Sequence, residues 1–248
     1  MLSRRQQHCL QGIGIPLWRE RSSASRPEAE ETRDIGDRPR FSETEKQGLS
    51  PNSLPAVSAP PKETALDGWD AILDSIRTCT ACELAQNCTQ KVPGIGNRKA
   101  RLMIIGEGPG HEEDIRGEPF VGRSGQLLDR MLRAIGIERE QVYITNIVKC
   151  RPPNNRDPKS EEAQQCRRYL EAQIEQIEPR IILSVGRVSA HNLLGSNQPV
   201  GKLIQQMHQL PGTEIPLKVT YHPAYLLRNP SAKAIAWQDL KLVHQLLQ

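Results

Sequence analysis

The chain has 248 residues, enough for one domain of ordinary size with a segment left over. No apolar run approaches the ~18 residues that a membrane span needs. The first residues also lack a signal-peptide core and a small-residue cleavage site, so a cytoplasmic protein is expected. A net charge of +4 permits nucleic-acid binding without arguing for it, and six cysteines in such a chain point to metal or redox use more than to disulfides.

Residues 1–20 hold a short apolar cluster, Leu10, Ile13, Ile15, Leu17 and Trp18, set among arginines. It reads either as an extra turn that packs on the domain or as a tethered peptide that docks a partner protein. Residues 21–63 are rich in Pro, Ser, Glu and Arg and hold few aliphatics. They cannot bury enough apolar surface to offset ordering entropy, so a disordered linker is expected there. The domain is expected over residues 64–248.

Within it, Trp69, Ile72, Leu73 and Ile76 keep helical spacing. Leu102–Ile105 is a buried strand that runs into the glycine- and proline-rich turn Gly106-Glu107-Gly108-Pro109-Gly110. Ser124 can cap a helix carrying Leu127, Leu128, Met131, Leu132 and Ile135, with Gly136 as its stop. Val142–Val148 is a second strand. Ser160, followed by Glu161 and Glu162, opens a helix to about Ile177. Ile181–Val185 is a third strand, followed by a short helix over Val188–Leu194. Leu217–Thr220 is a fourth strand, and a last helix spans about Ala232–Leu247. Strands alternating with helices predict an α/β three-layer sandwich: a central, mostly parallel four-stranded sheet with helices on both faces. Ligands of such sheets bind outside the carboxyl ends of the strands.

Cys79 and Cys82 form a C-x2-C pair, and Cys150 and Cys166 lie across a proline-rich loop and the start of a helix. Four thiolates can hold zinc or a [4Fe–4S] cluster. A zinc ribbon uses two C-x2-C knuckles and only one is present, which favours the cluster. All four could instead be buried free thiols. Cys88 reads as a bystander or a replacement ligand. A cluster here would clamp the first helix to the loop after the second strand. The basic residues around its ligands, Arg77, Lys149, Arg151, Arg156 and Lys159, are candidates to meet phosphates or form a solvated loop.

The second strand ends in Thr145-Asn146-Ile147-Val148-Lys149-Cys150-Arg151-Pro152-Pro153, and the fourth in Tyr221-His222-Pro223-Ala224-Tyr225-Leu226-Leu227-Arg228. With the Gly106–Gly110 turn, Pro119-Phe120-Val121-Gly122 and the cysteine spacing, these segments resemble the iron–sulfur uracil-DNA glycosylases of family 4 over residues of about 70–247. The resemblance implies uracil-containing DNA as partner, a [4Fe–4S] cofactor and a monomer that hydrolyses the N-glycosidic bond to leave an abasic site. Uracil must be flipped out of the stack to be reached. Phe120 would supply a flat apolar face. The Asn146 amide offers a donor and an acceptor that match uracil O4 and N3–H. His222 would donate a hydrogen bond to O2 as charge builds there. Glu107 would position a water or stabilise the sugar cation, and Glu113 matches a family position near the uracil edge that helps exclude the thymine methyl. Backbone N–H groups of Gly106, Gly108 and Gly110 would hold the base and a flanking phosphate. The best-known glycosylases of this reaction carry a water-activating aspartate where Gly108 falls, so Glu107 is the first choice for that role and Asn146 the second. Arg151 and Arg156 would meet phosphates, and Leu226, Leu227 and Arg228 are candidates for the wedge that fills the gap in the duplex.

Each residue also has a plain structural reading. His before Pro stabilises loops, Asn at a strand end caps turns, Phe120 can be core and Glu107 an exposed turn residue. Two other functions fit the same chain: a non-catalytic iron–sulfur DNA-binding module associated with replication, and a broader-specificity glycosylase acting on other deaminated bases.

Overall fold

The computed structural model describes residues 68–248. The docking peptide expected over 1–20 and the linker expected over 21–63 lie outside the described residues. In chain order the elements are α1 (Trp69–Arg77), α2 (Leu84–Asn87), β1 (Ile95–Gly96), β2 (Leu102–Gly106), α3 (His111–Arg116), α4 (Arg123–Ala134), β3 (Tyr143–Asn146), α5 (Ser160–Ile177), β4 (Ile181–Val185), α6 (Arg187–Leu194), α7 (Val200–Leu203), β5 (Met207–Gln209), β6 (Pro216–Thr220), α8 (Pro223–Arg228) and α9 (Lys233–Leu247). Short 3-10 turns lie between some of them.

The sheet runs β1-β3-β2-β4-β6-β5. The four inner strands are parallel, and they are the four strands expected from the sequence. The count of four is corrected to six, because β1 pairs antiparallel with β3 and β5 antiparallel with β6 at the two edges. These edge strands span two and three residues and are not fully buried, so they carry no apolar run to read. Such short edges also limit pairing with other chains.

The inner strands are buried on both faces. Their alternation sorts two cores. Met103, Ile105, Tyr143 and Ile182 pack with Ile72 and Ile76 of α1, Tyr169, Leu170 and Ile174 of α5 and Leu193 of α6. Leu102, Ile104, Ile144 and Leu183 pack with Leu128 and Leu132 of α4 and Trp237, Leu240 and Val243 of α9. The three-layer expectation is met.

Three local differences have physical causes. Residues 147–148, expected in the second strand, leave the sheet and instead bond back, Ile147 N to Gly106 O (3.0 Å) and Val148 N to Glu107 O (3.2 Å). The carboxylate-rich run after Gly110, to which the sequence pattern assigns no element, is helix α3. Glu112, Glu113 and Asp114 occupy its first turn, where the helix dipole favours them, and Gly117 ends it with a left-handed φ of 73°. Helix α4 starts one residue before the expected cap, with Gly122 rather than Ser124 at the N-cap.

Connections leave β2 toward β3 on one side and lead back to β4 on the other. The carboxyl ends of β2, β3 and β6 therefore surround a switch-point crevice.

Candidate active site and cysteine recess

A cleft of about 470 Å³ opens at these strand ends, lined by Glu107, Gly108, Gly110, Glu113, Phe120, Asn146 and His222 among others. The residues expected to hold uracil thus line it except Gly106, which stands directly behind Asn146 and Phe120. A Cβ on Gly106 would lie 2.4 Å from Asn146 Oδ1 and 2.7 Å from Phe120 Cζ. Only glycine lets the amide and the ring sit this close to the end of β2.

Asn146 closes β3 and is 1% exposed, yet its Oδ1 has no hydrogen-bond partner. A buried acceptor without a partner is costly unless a ligand completes it. Beneath it lies a polar network. Lys149 Nζ, fully buried, donates to Thr145 Oγ1 (2.6 Å), Asn146 O (2.9 Å) and Gln173 Oε1 (2.8 Å). Gln173 Nε2 donates to Pro93 O at 2.8 Å. The three ammonium donors are all used, and desolvation lowers the Lys149 pKa to about 8. Lys149 therefore props the strand end from inside and does not reach phosphates, contrary to the sequence expectation.

His222 Nδ1 accepts from Ala224 N at 3.1 Å, which makes His222 the N-cap of α8. The proton of the neutral ring is then on Nε2. Desolvation, followed by the Arg228 charge, holds the His222 pKa down at about 4, so the ring is neutral at physiological pH. The loop-stabilising reading of this histidine holds for Nδ1, and Nε2 keeps the ring's proton. Its ring lies 5.6 Å from that of Phe120 at an interplanar angle of 30°.

Phe120 is buried and has a φ of 54°, rare for a bulky residue. The surroundings fix it there. Gly125 has no side chain where a Cβ would strike Phe120 O at 1.7 Å. Glu113 accepts from Gly110 N (3.1 Å), Val121 N (3.0 Å) and Gly122 N (3.1 Å). Both its oxygens are committed, so Glu113 ties the Gly106–Gly110 turn to the loop that presents Phe120. Strain at a residue held this firmly is a mark of functional sites.

Glu107 sits half-buried on the wall. Its pKa is raised to about 7, first by desolvation, then by the charge of the neighbouring Asp157, to whose carboxylate protonated Glu107 can donate, with Arg187 opposing. Gly108 packs tightly: a Cβ there would lie 2.8 Å from Val148 Cγ2 and 3.6 Å from Pro152 Cδ. An aspartate at this position would need that wall to move.

The structure revises the DNA-facing set. Leu226 is 1% exposed and packs in the α4–α9 core, so it is not a wedge. Leu227 is half-buried against the same core, while Arg228 is exposed at the cleft. Tyr225 is 38% exposed, lines the cleft and stacks on Tyr221 at 4.9 Å, a position the sequence reading passed over in favour of the aliphatic pair. Arg156 makes a two-pronged pair with Glu162 (2.8 and 2.6 Å), while Glu162 also accepts from Lys159 N (2.7 Å), bracing the start of α5. Arg151, half-buried, bonds Asn155 Oδ1 at 2.7 Å and His111 Nδ1 at 3.1 Å. Asp157 lines the cleft and was missed; its only sequence signal is its place in the loop between Cys150 and Cys166.

On the other side of β3, Cys79, Cys82, Cys150 and Cys166 line one recess, together with Ile76, Lys91 and Tyr169. Ala81 N donates to Cys79 Sγ (3.5 Å) and Lys149 N to Cys166 Sγ (3.3 Å). Backbone donors on sulfur are what a thiolate-bound cluster uses. Cys88 adjoins Cys150. Among the described residues, no three His, Cys, Asp or Glu side chains converge as ligands of one metal ion do. The four-thiol donor set fits an iron–sulfur cluster, whose ligands surround a larger body than a single ion.

Fold and site together define an α/β protein with an aromatic-walled polar slot at its switch point. A family model described as the Uracil DNA glycosylase superfamily matches residues 93–241. A Type-4 uracil-DNA glycosylase of Thermotoga maritima is 46% identical over 176 residues, 69% of this chain and 91% of the relative. One of Saccharolobus solfataricus is 43% identical over 189 residues, covering 73% and 88%. One of Archaeoglobus fulgidus is 40% identical over 187 residues, covering 73% and 94%. The chain belongs to the uracil-DNA glycosylase superfamily, in its type-4 branch.

Proposed function

We propose that the protein is a monofunctional uracil-DNA glycosylase that releases free uracil from DNA and leaves an abasic site, the opening step of base excision repair. The observation that carries this reading is the partnerless, buried Asn146 Oδ1 in a cleft that also holds a neutral His222. The amide oxygen accepts uracil N3–H and its NH₂ donates to O4; cytosine presents the opposite pattern and is rejected. His222 Nε2–H donates to O2. As the C1′–N1 bond breaks, the electron pair moves onto the uracil ring and O2 gains charge, which this preorganised donor stabilises without itself losing a proton. Phe120 gives the flipped base its apolar face, and Glu113 holds that wall in place against the bulkier thymine. Glu107 takes the proton of the water that adds to C1′.

Among the described residues no lysine lines the cleft, and Lys149 spends its donors on the strand end, which supports hydrolysis without strand cleavage. Arg151 and Arg228 are assigned to phosphates and Tyr225, with Leu227, to the stacking gap. A [4Fe–4S] cluster is assigned to Cys79, Cys82, Cys150 and Cys166. It would supply a structural cross-link between the α1–α2 segment, the loop after β3 and α5. The reading includes a monomeric enzyme acting in the cytoplasm. Among the described residues no helix is long and apolar enough to cross a membrane.

The test is incubation of purified protein with single- and double-stranded oligonucleotides carrying uracil, hypoxanthine or a thymine mismatch, followed by alkali. Cleavage confined to the uracil strands is expected. An intact uracil strand would favour the non-catalytic module, and hypoxanthine release at a similar rate the broader glycosylase.

A further inference from the structure

The φ of 54° at Phe120 is costly for a bulky residue and persists only where the surroundings over-determine it. A backbone dihedral is fixed when the peptide planes on both sides of it are fixed. The plane after Phe120 is held by Glu113, whose carboxylate accepts from Val121 N at 3.0 Å. The plane before it is held by Arg139, which does not itself line the cleft. Arg139 Nη2 donates to Pro119 O at 2.5 Å, and Arg139 Nη1 donates to Asp129 Oδ1 at 2.9 Å. Arg139 opens the 3-10 turn before β3, and Asp129 lies in α4, the helix that follows the Phe120 loop. The two side chains are only 20% and 23% exposed, so water screens this pair less than the exposed pairs of the surface. The rigid guanidinium fork serves both acceptors at once.

We propose that Arg139, braced by Asp129, is a positioning residue that holds the Pro119–Phe120 peptide and thereby keeps the Phe120 ring against His222, where it forms the wall for a flipped uracil. The inference rests on the reading of Phe120 as the wall of a uracil slot. Glu113 and Arg139 grip the same residue from its two ends with opposite charges. The carboxylate takes the N–H that follows Phe120, and the guanidinium takes the C=O that precedes it. Glu113 alone does not fix φ. With Pro119 O released, φ relaxes toward the negative values that a bulky residue prefers. In a chain anchored on both sides φ does not change alone, so ψ follows and swings the ring. The ring then leaves its place 5.6 Å from that of His222.

The test uses two variants of the full chain. Arg139→Met keeps an apolar stem and removes both donors. Arg139→Gln is gentler: it keeps a polar end that is too short to fork across Pro119 O and Asp129. The first readout needs no activity. It is the ¹H shift of the His222 ring, which the ring current of the stacked Phe120 displaces. The second is single-turnover release of uracil. In both variants the His222 signals should move toward unstacked values. Release should fall by roughly 10-fold, the scale of one base–aromatic contact. A merely structural Arg139 would lower Tm and leave the His222 shifts and the release rate of the folded Arg139→Gln protein in place. Either readout unchanged in that variant overturns the proposal. Wild-type protein that releases no uracil, while the His222 shifts still move in the variants, would sink the glycosylase reading and leave the clamp on Phe120 standing.

Discussion

Gly106 shows how much of this site rests on single atoms. Any side chain there drives into Asn146 Oδ1 and the Phe120 ring. Gly106→Ala should lower single-turnover uracil release by roughly 100-fold, the scale of a misplaced reacting group, and circular dichroism should show the fold retained. His222 makes a different kind of prediction. Its neutral Nε2–H tautomer, with Nδ1 capping α8, should be visible as a ¹⁵N signature unchanged from about pH 8 down to about pH 5.5, because the ring protonates only near pH 4. Since the folded pKa lies below the unfolded one, His222 adds stability above about pH 6.5 that is lost as pH falls toward 4. A ring that titrates near 6.5 would contradict the buried donor. The sequence made these residues legible as types, since an amide, an imidazole and an aromatic at strand ends are few. It could not show that Glu113 spends both oxygens on backbone, because that depends on where α3 brings Gly110, Val121 and Gly122 together.

At the scale of elements, the end of β3 is the shared part. One face of this segment carries Asn146 into the cleft, and the chain that follows carries Lys149 inward and Cys150 to the thiol recess. Lys149→Met would leave Asn146 O, Thr145 Oγ1 and Gln173 Oε1 short of a donor, and should cost about 3 kcal/mol or more in urea unfolding. An unchanged midpoint would show that water replaces the ammonium. The inner strands and long helices were readable because their apolar periods are strong: Ser160–Ile177 and Ile181–Val185 fall where the pattern put them. The two edge strands and α3 were not, since two or three half-buried residues or an acidic run have no period to detect. Leu226 misled for a related reason. In an extended loop it would face DNA, but the sequence does not announce that residues 223–228 coil into α8, which turns Leu226 into the core and Tyr225 outward.

For the whole molecule, the two cores lie on opposite faces of one sheet and the cleft at its carboxyl end, so the architecture followed from strand–helix alternation alone. The cofactor assignment is the broadest prediction. Purified protein should be yellow-brown with broad absorption near ~400 nm, and Cys150→Ser should bleach it and lower Tm; colourless protein with one zinc would reject the cluster. DNA affinity should fall steeply with salt through counterion release. The central claim is that Asn146 reads uracil in this cleft. Single-turnover release from a uracil oligonucleotide by the full chain and by Asn146→Ala tests it most directly. Complete release by the wild type and a loss of about 100-fold or more in the variant are expected, as for a site whose buried hydrogen bonds define its substrate. Equal rates in the two proteins would contradict it.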